Sequence, residues 1–238
     1  MDERGTDVDE LRHAREHVLE AIADSCARVG RDPGEVRLVA VSKTVEADRL
    51  RAAVVAGLTT LGENRVQEAE PKVAAVDGAA WHLIGPLQSN KARRAIAVFD
   101  VIESVDSLEL ARRLDRIAGE ERPEIRLPVL LQINVDDDTA KAGFPPGEAE
   151  AALDELLALP RLDVRGLMTI GRLVDLPEDA RSTFVALRRL GERLRTAAPA
   201  LGPELSMGMS ADFEIAVEEG ATIVRVGQAI FGHRPHDH

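Results

Sequence analysis

Tyrosine is absent from the chain of 238 residues, and other aromatic residues are few, with five phenylalanines and one tryptophan. This composition excludes every mechanism in which a phenol serves as acid, base or phosphate ligand. Cys26 is the only cysteine, so an intrachain disulfide, a CxxC redox pair and a cysteine zinc cluster are excluded as well. His13 and His17 stand four residues apart without a third ligand, and we predict no metal site.

The chain is also short of positive charge, with 30 Lys and Arg residues against 42 Asp and Glu residues and a formal net charge of -12. A surface of this sign disfavours nucleic acid and anionic lipid as partners. Residues 1–15 are charged where a secretory signal has an apolar core, and no apolar run reaches the roughly 18 residues of a membrane span. We therefore expect a cytoplasmic protein that binds neither nucleic acid nor a membrane.

Helical and strand-like segments alternate along most of the sequence. Residues 8–30 have the pattern of a charged amphipathic helix that stops at Gly30, with Pro33 beyond it. From residue 36 onward, short apolar runs rich in β-forming residues alternate with stretches of helical pattern. The eight predicted strands are 36–42, 59–62, 81–85, 98–104, 127–135, 162–168, 204–208 and 222–227.

Eight strands separated by helical segments indicate parallel pairing, because a parallel connection must return along the outside of the sheet. A closed (β/α)8 barrel and an open doubly wound sheet both satisfy this order, and the count of eight favours the barrel. We therefore predict an α/β protein with a TIM-type barrel over about residues 35–232. The N-terminal helical extension (8–30) and a short polar tail (233–238) belong to the same single domain.

Polar residues follow several of the predicted strands, at the barrel end where active sites lie. Lys43 ends the first strand, where partial desolvation would lower its pKa and make the neutral, nucleophilic amine available for a Schiff base. The alternative is a lysine that caps the strand and points to solvent. Asn64, after the second strand, and Met168, at the end of the sixth, are further binding candidates.

A glycine- and serine-containing turn follows the seventh predicted strand, and a second glycine turn follows the eighth. Gly208 and Ser210 precede a helix expected to open at Ala211, and Gly227 lies at the next strand-to-helix turn. Backbone N–H groups and a hydroxyl at such turns form an anion site, and barrels commonly bind phosphate with the loops after strands seven and eight. The alternative for Ser210 is an ordinary N-cap.

Closure of the barrel would place the eighth strand beside the first, and so the phosphate site beside Lys43. A phosphorylated aldehyde satisfies both groups, and pyridoxal 5′-phosphate (PLP) has that shape and chemistry. Alternation puts Ile223, Arg225 and Gly227 on one face of the eighth strand, from which Arg225 would reach the pyridine nitrogen and disfavour its protonation. The alternative is a structural arginine paired with an acidic residue.

The sequence closely resembles the pyridoxal phosphate homeostasis protein family, which is similar in fold to the barrel domain of alanine racemase. The motifs that carry the resemblance are VAVSKT (39–44), GENRVQEA (62–69), WHLIGPLQSNK (81–91), INVDDDTAKAGF (133–144), RGLMTI (165–170) and LSMGMSADFEIAVEEGATIVRVGQAIFG (205–232). The resemblance implies that Lys43 holds the cofactor as an internal aldimine and that Ser210 binds phosphate. It further implies that Arg225 faces the pyridine nitrogen and that Gly227 and Gln228 complete the phosphate site.

Two positions depart from the family pattern. Many family members have threonine where this chain has Gln228, so that only a backbone contact to phosphate is inferred there. Many bacterial members carry a second lysine where this chain has Val45. Lys141 matches another family lysine, and we interpret it as a solvated loop residue.

Three functional hypotheses follow. The first, implied by the resemblance, is a monomeric homeostasis protein that holds PLP reversibly at Lys43, without robust turnover, and supplies it to PLP-dependent apoenzymes. The second is an amino-acid racemase of the alanine racemase type, but two-base racemisation there uses a tyrosine, which this chain lacks. His82 or Cys26 would have to replace it. The third is a class I aldolase that uses Lys43 on a phosphorylated sugar.

Overall fold

The structure is a computed structural model that describes residues 3–172 and 174–232. An N-terminal helix precedes the barrel. This helix, α1, runs from Glu3 to Val29 and so begins before the predicted residue 8. It buries Leu11, Val18 and Ile22 against the rest of the protein, and it packs on α2, α8 and α9, defined below. The predicted polar tail, 233–238, with His236 and His238, lies outside the described residues.

Eight parallel strands form a closed barrel in chain order. The strands are β1 Arg37–Val41, β2 Thr60–Glu63, β3 Ala80–Leu83, β4 Val101–Val105, β5 Leu127–Gln132, β6 Leu162–Met168, β7 Glu204–Met209 and β8 Ile223–Val226. Closure is made by β1 and β8, with Ala40 opposite Val226 and Val39 opposite Arg225. The predicted (β/α)8 barrel is therefore confirmed, and the open sheet is excluded.

Helices surround the strands. Beyond α1 they are α2 Ala47–Val55, α3 Val66–Ala75, α4 Ala92–Val98, α5 Leu108–Glu121, α6 Pro146–Ala158, α7 Arg181–Ala197, α8 Phe213–Glu218 and α9 Gln228–Phe231. Their buried faces follow the helical period, as α5 illustrates with buried Leu110, Leu114 and Ile117. No helix within the described ranges combines the length and the apolar character needed to span a bilayer.

Two strand boundaries differ from the sequence prediction by three residues, and the others differ by at most two. Residue 98 was expected to begin the fourth strand, but Val98 ends α4, and the Phe99 N–H caps that helix by donating to the Ala95 carbonyl. The fifth strand ends at Gln132 rather than at residue 135, because the chain turns there into a loop that returns at Phe144. Apolar runs continue past the strand ends at both places, so the pattern alone overestimated the strand lengths.

Candidate functional site

Lys43 lies at the carboxyl end of β1, within a turn that begins two residues after the strand ends. The turn is anchored by the Ser42 N–H, which donates to the Gly62 carbonyl at 2.9 Å, and by the Val45 N–H, which donates to the Ser42 carbonyl at 3.0 Å. Thr44 adopts a φ of 66°. Lys43 is half-buried, and its backbone is held in this turn at the carboxyl end of β1.

A buried ion pair supports this turn from below. Glu63, with no exposed surface, accepts hydrogen bonds through Oε1 from the Ser42 hydroxyl and from the Lys72 ammonium, both at 2.7 Å. Lys72 also donates to the Ser42 carbonyl at 2.8 Å. Glu63 Oε2 is buried without a hydrogen-bond partner. Sequence analysis missed this pair, which joins β2 and α3 to the residue before Lys43.

Ser210 forms the predicted cradle with the turn after β8. Its Oγ accepts hydrogen bonds from the backbone N–H groups of Gly227 at 3.1 Å and Gln228 at 3.2 Å. Ser210 is not an N-cap, because α8 begins at Phe213 and Asp212 occupies the cap position. The helix therefore starts two residues later than expected. Two N–H groups and one hydroxyl converge here, as a phosphate site requires.

Glycines allow the cradle to form next to β1. Gly208 has a φ of +90°, and a Cβ there would lie 2.5 Å from the Cβ of Ala216, so only glycine permits this approach of β7 to α8. A Cβ on Gly227 would lie 3.2 Å from the Cβ of Val41. The cradle thus packs against the strand that leads to Lys43, as barrel closure predicted.

The two remaining binding candidates occupy different depths. Asn64 is half-buried after β2, and its backbone packs on Gly85, where a Cβ would lie 2.4 Å from the Asn64 carbonyl oxygen. Met168 is wholly buried in the lumen with Val39, Leu130 and Ile223. Met168 therefore belongs to the apolar packing inside the barrel rather than to its rim.

Arg225 points into the barrel from β8, on the face predicted by alternation, and is only 3% exposed. One terminal nitrogen donates to the Ser206 hydroxyl at 2.6 Å, and the other donates to the Thr169 carbonyl at 2.7 Å. The side-chain partner of Arg225 is thus a hydroxyl, whereas the alternative interpretation expected a carboxylate. Burial lowers the pKa of Arg225, while the charges of Glu103 and Asp212 act in the opposite direction.

A buried carboxylate lies behind that hydroxyl. Glu103 Oε2 accepts a hydrogen bond from the Ser206 hydroxyl at 2.5 Å, and Glu103 Oε1 lies 2.6 Å from His82 Nδ1. Burial pushes the pKa of Glu103 upward, but the hydrogen bond and charge of His82, the charge of Arg225 and the Ser206 hydrogen bond hold that pKa below its usual range. His82 is therefore bonded to Glu103 inside the lumen, and Cys26 is buried in α1.

Sequence analysis assigned no role to Glu103 or Ser206, although each interrupts an apolar run. Glu103 follows Ile102, and Ser206 lies between Leu205 and Met207. Alternation directs such a side chain into the lumen if its neighbours pack outward. A polar side chain at a lumen position is costly and therefore informative. This signal was present in the sequence but required the facing of each strand.

Comparisons with known proteins agree with the barrel fold. The model of the alanine racemase N-terminal domain family matches residues 18–235. The pyridoxal phosphate homeostasis protein of Aquifex aeolicus is 40% identical over 221 residues, which cover 92% of this chain and 96% of that protein. The protein of the same name from Escherichia coli (strain K12) is 39% identical over 238 residues, covering 96% and 99%.

A solved structure of PipY from Synechococcus elongatus, with PLP bound, is 44% identical and has a TM-score of 0.79. The likeness covers 89% of this chain and 100% of that one. The similarity is therefore high in sequence and in fold, and it extends over nearly the whole of each relative. The chain belongs to the pyridoxal phosphate homeostasis protein family, within the alanine racemase N-terminal domain fold.

Proposed function

We propose that this protein binds PLP covalently and reversibly at Lys43 and serves in PLP homeostasis. The observation that carries the proposal is the convergence of the Gly227 and Gln228 N–H groups on Ser210, packed against the strand that leads to Lys43. An anion cradle beside a half-buried amine suits a phosphorylated aldehyde. Membership of the family, and a relative whose structure has PLP bound, support the same ligand.

Each site residue has a role that follows from its chemistry. Ser210 and the two backbone N–H groups would hold the phosphate, and Arg225 would donate to the pyridine nitrogen from the lumen. A permanent cation there keeps the ring unprotonated, which makes it a poor electron sink. Met168 lies in the apolar packing of the lumen. The cofactor would supply the aldehyde carbon with which the Lys43 amine reacts.

We infer that the site binds the cofactor without robust turnover. Racemisation needs a second acid or base opposite the lysine. The chain has no tyrosine, His82 is bonded to Glu103 inside the lumen, and Cys26 is buried in α1. We propose that the bound PLP is supplied to PLP-dependent apoenzymes. The monomeric state and the cytoplasmic location stay predictions, the first of which light scattering tests.

The experiment that tests covalent binding compares the wild type with Lys43→Ala after incubation with PLP. The wild type should absorb at roughly 420 nm, as expected for a protonated lysine Schiff base, and borohydride should bleach this band. Mass spectrometry should then locate a pyridoxyl group on Lys43. In Lys43→Ala the band should disappear while the circular dichroism spectrum stays unchanged.

Lys141→Ala provides the matched control. Lys141 is another partly buried loop lysine, 23% exposed, whose ammonium donates to the Ile170 carbonyl at 3.2 Å; it is therefore less solvated than the sequence suggested. The band should persist in this variant. A reducible band retained in Lys43→Ala would overturn the assignment, and a wild type that binds phosphorylated sugars but not PLP would favour the aldolase.

A further inference from the structure

A chain of buried hydrogen bonds crosses the barrel lumen beneath the proposed cofactor site. It runs from His82 on β3 to Glu103 on β4, then to Ser206 on β7 and Arg225 on β8, with heavy-atom distances of 2.6, 2.5 and 2.6 Å. Strands β4 and β7 are not neighbours in the sheet, so the Glu103 bond to Ser206 spans the lumen. All four residues are at most 3% exposed.

Of these four residues, only Arg225 takes part in the proposed cofactor binding. The other three are buried, and a buried carboxylate costs more free energy than apolar residues of similar volume packed in its place. The titratable groups around Glu103 are His82 and Arg225, and Asp212 also acts on Arg225 by its charge. Glu103 therefore needs a role that offsets its cost.

The Ser206 hydroxyl can donate only one hydrogen bond, and Glu103 determines the acceptor of that bond. An ionised carboxylate only accepts hydrogen bonds, so Ser206 must donate to it. The lone pairs of the same hydroxyl then face Arg225, which only donates. Glu103 thus sets the direction of the hydrogen bond that Ser206 accepts from the guanidinium.

Two acceptors fix the plane of the Arg225 guanidinium. Ser206 Oγ holds one terminal nitrogen, and the Thr169 carbonyl holds the other. Thr169 is itself held, because its N–H donates to the Ser206 carbonyl at 3.0 Å and its hydroxyl donates to the Ile133 carbonyl at 2.8 Å. A guanidinium has five N–H donors, so others are left for a ligand after these two bonds.

We propose that Ser206 and Glu103 are positioning residues for PLP, which act through Arg225 by holding its guanidinium in the orientation that meets the pyridine nitrogen. This inference rests on the proposed function. Its physical basis is preorganisation: a guanidinium already oriented loses little side-chain entropy when the ligand arrives. Removing the bridge should therefore weaken PLP binding while leaving the Lys43 reaction itself available.

The test compares Ser206→Ala with Ser104→Ala. Ser104 is also fully buried, adjacent to Glu103 in β4, and its hydroxyl has no hydrogen-bond partner. Ser206→Ala should weaken PLP affinity in a fluorescence titration by roughly five- to tenfold, the scale of one intramolecular hydrogen bond. Ser104→Ala should leave the affinity unchanged, and Ser206→Thr, which restores a hydroxyl, should recover most of the loss.

A double-mutant cycle distinguishes positioning from general destabilisation. If Ser206 acts through Arg225, Ser206→Ala should cause no further loss of affinity in an Arg225→Lys background. Losses that multiply independently, or an unchanged affinity in Ser206→Ala, would overturn the inference. Should Ser206→Ala fail to fold by circular dichroism, Ser206→Cys, which keeps a similar volume but replaces the hydroxyl with a weak acceptor, takes its place in the same cycle with the same expectations.

The borohydride adduct separates this inference from the proposed function. A wild type without a pyridoxyl group on Lys43 would refute the proposed function. A normal adduct on Lys43 in both wild type and Ser206→Ala, with equal affinities, would refute the positioning role alone.

Discussion

At the scale of single residues, Glu103 is the most consequential group that sequence patterns left unassigned. Its carboxylate has no exposed surface, and both oxygens are bonded, one to His82 and the other to Ser206. These partners hold its pKa below the usual range although burial acts in the opposite direction. The folded protein therefore favours the ionised form more than the unfolded chain does.

This shift predicts a pH dependence of stability. A carboxyl with a lowered pKa stabilises the fold fully above its unfolded pKa of about 4.3, and this contribution is lost as pH falls through the folded pKa. The unfolding free energy of the wild type should therefore decrease as the pH falls below about 5, and that of Glu103→Gln should decrease less. Urea denaturation at a series of pH values measures both.

Glu70→Gln is the surface control for that experiment. The hydrogen bond from Arg94 also lowers the pKa of Glu70, but this pair is exposed to solvent. Because solvent screens such pairs, the variant should change the pH profile much less than Glu103→Gln does. Parallel profiles for wild type and Glu103→Gln would contradict the ionised state of the buried carboxylate.

At the scale of elements, the turn between β7 and α8 connects the fold to the phosphate cradle. Gly208, one residue before the end of β7, has a φ of +90°, and Ser210 follows at the position where Gly227 and Gln228 donate to it. The Asp212 side chain accepts a hydrogen bond from the Met209 N–H at 2.6 Å and closes the turn. The geometry of the cradle therefore depends on one backbone conformation.

Gly208→Ala should disturb both stability and phosphate binding. The added Cβ meets Ala216 at 2.5 Å, and the left-handed backbone is unfavourable for alanine, so a loss of roughly 2–4 kcal/mol is expected. PLP affinity should fall as well, because Ser210 moves with the turn. Thermal denaturation and PLP titration measure the two effects.

Gly147→Ala in α6 is the matched control. A Cβ at Gly147 meets nothing within 4 Å, and its φ is not positive. Alanine there should leave PLP affinity unchanged and stabilise the protein by about 0.4–1 kcal/mol. Equal effects of the two substitutions would show that the Gly208 turn is not constrained as described.

At the scale of the whole molecule, the proposed site joins the beginning of the barrel to its end. Lys43 follows β1, whereas Ser210 lies in the turn between β7 and α8, and Arg225 lies on β8. Pairing of β1 with β8 brings these segments together. A ligand held by both therefore links parts of the chain that separate completely when the barrel unfolds.

PLP should consequently raise the melting temperature. A ligand at one hundred times its Kd adds about 2.7 kcal/mol to stability, which corresponds to roughly 5–10 °C for a protein of this size. Pyridoxal, which lacks the phosphate, should produce a smaller shift at the same concentration, as should PLP with Lys43→Ala. Differential scanning fluorimetry measures all three, and equal shifts with PLP and pyridoxal would argue against the cradle.

The sequence by itself determined the order of strands and helices, because side-chain periodicity is a local property. It also indicated Lys43, Ser210 and Arg225 as candidate site residues, since polar groups at strand ends and at alternating strand positions are recognisable locally. The sequence predicted the ends of the strands less accurately. Val98 belongs to a helix, because a helix cap rather than hydropathy decides that boundary.

Only the tertiary structure decided which buried hydrogen-bond partners support those residues. Ser206 and Glu103 are 103 residues apart and lie on strands that do not pair, so their bond exists only because the closed barrel places both side chains in one lumen. Lys72 likewise reaches Glu63 and the Ser42 carbonyl from a helix outside the sheet. Local periodicity predicts which face a side chain takes, whereas its partner across the lumen depends on strand register and on closure.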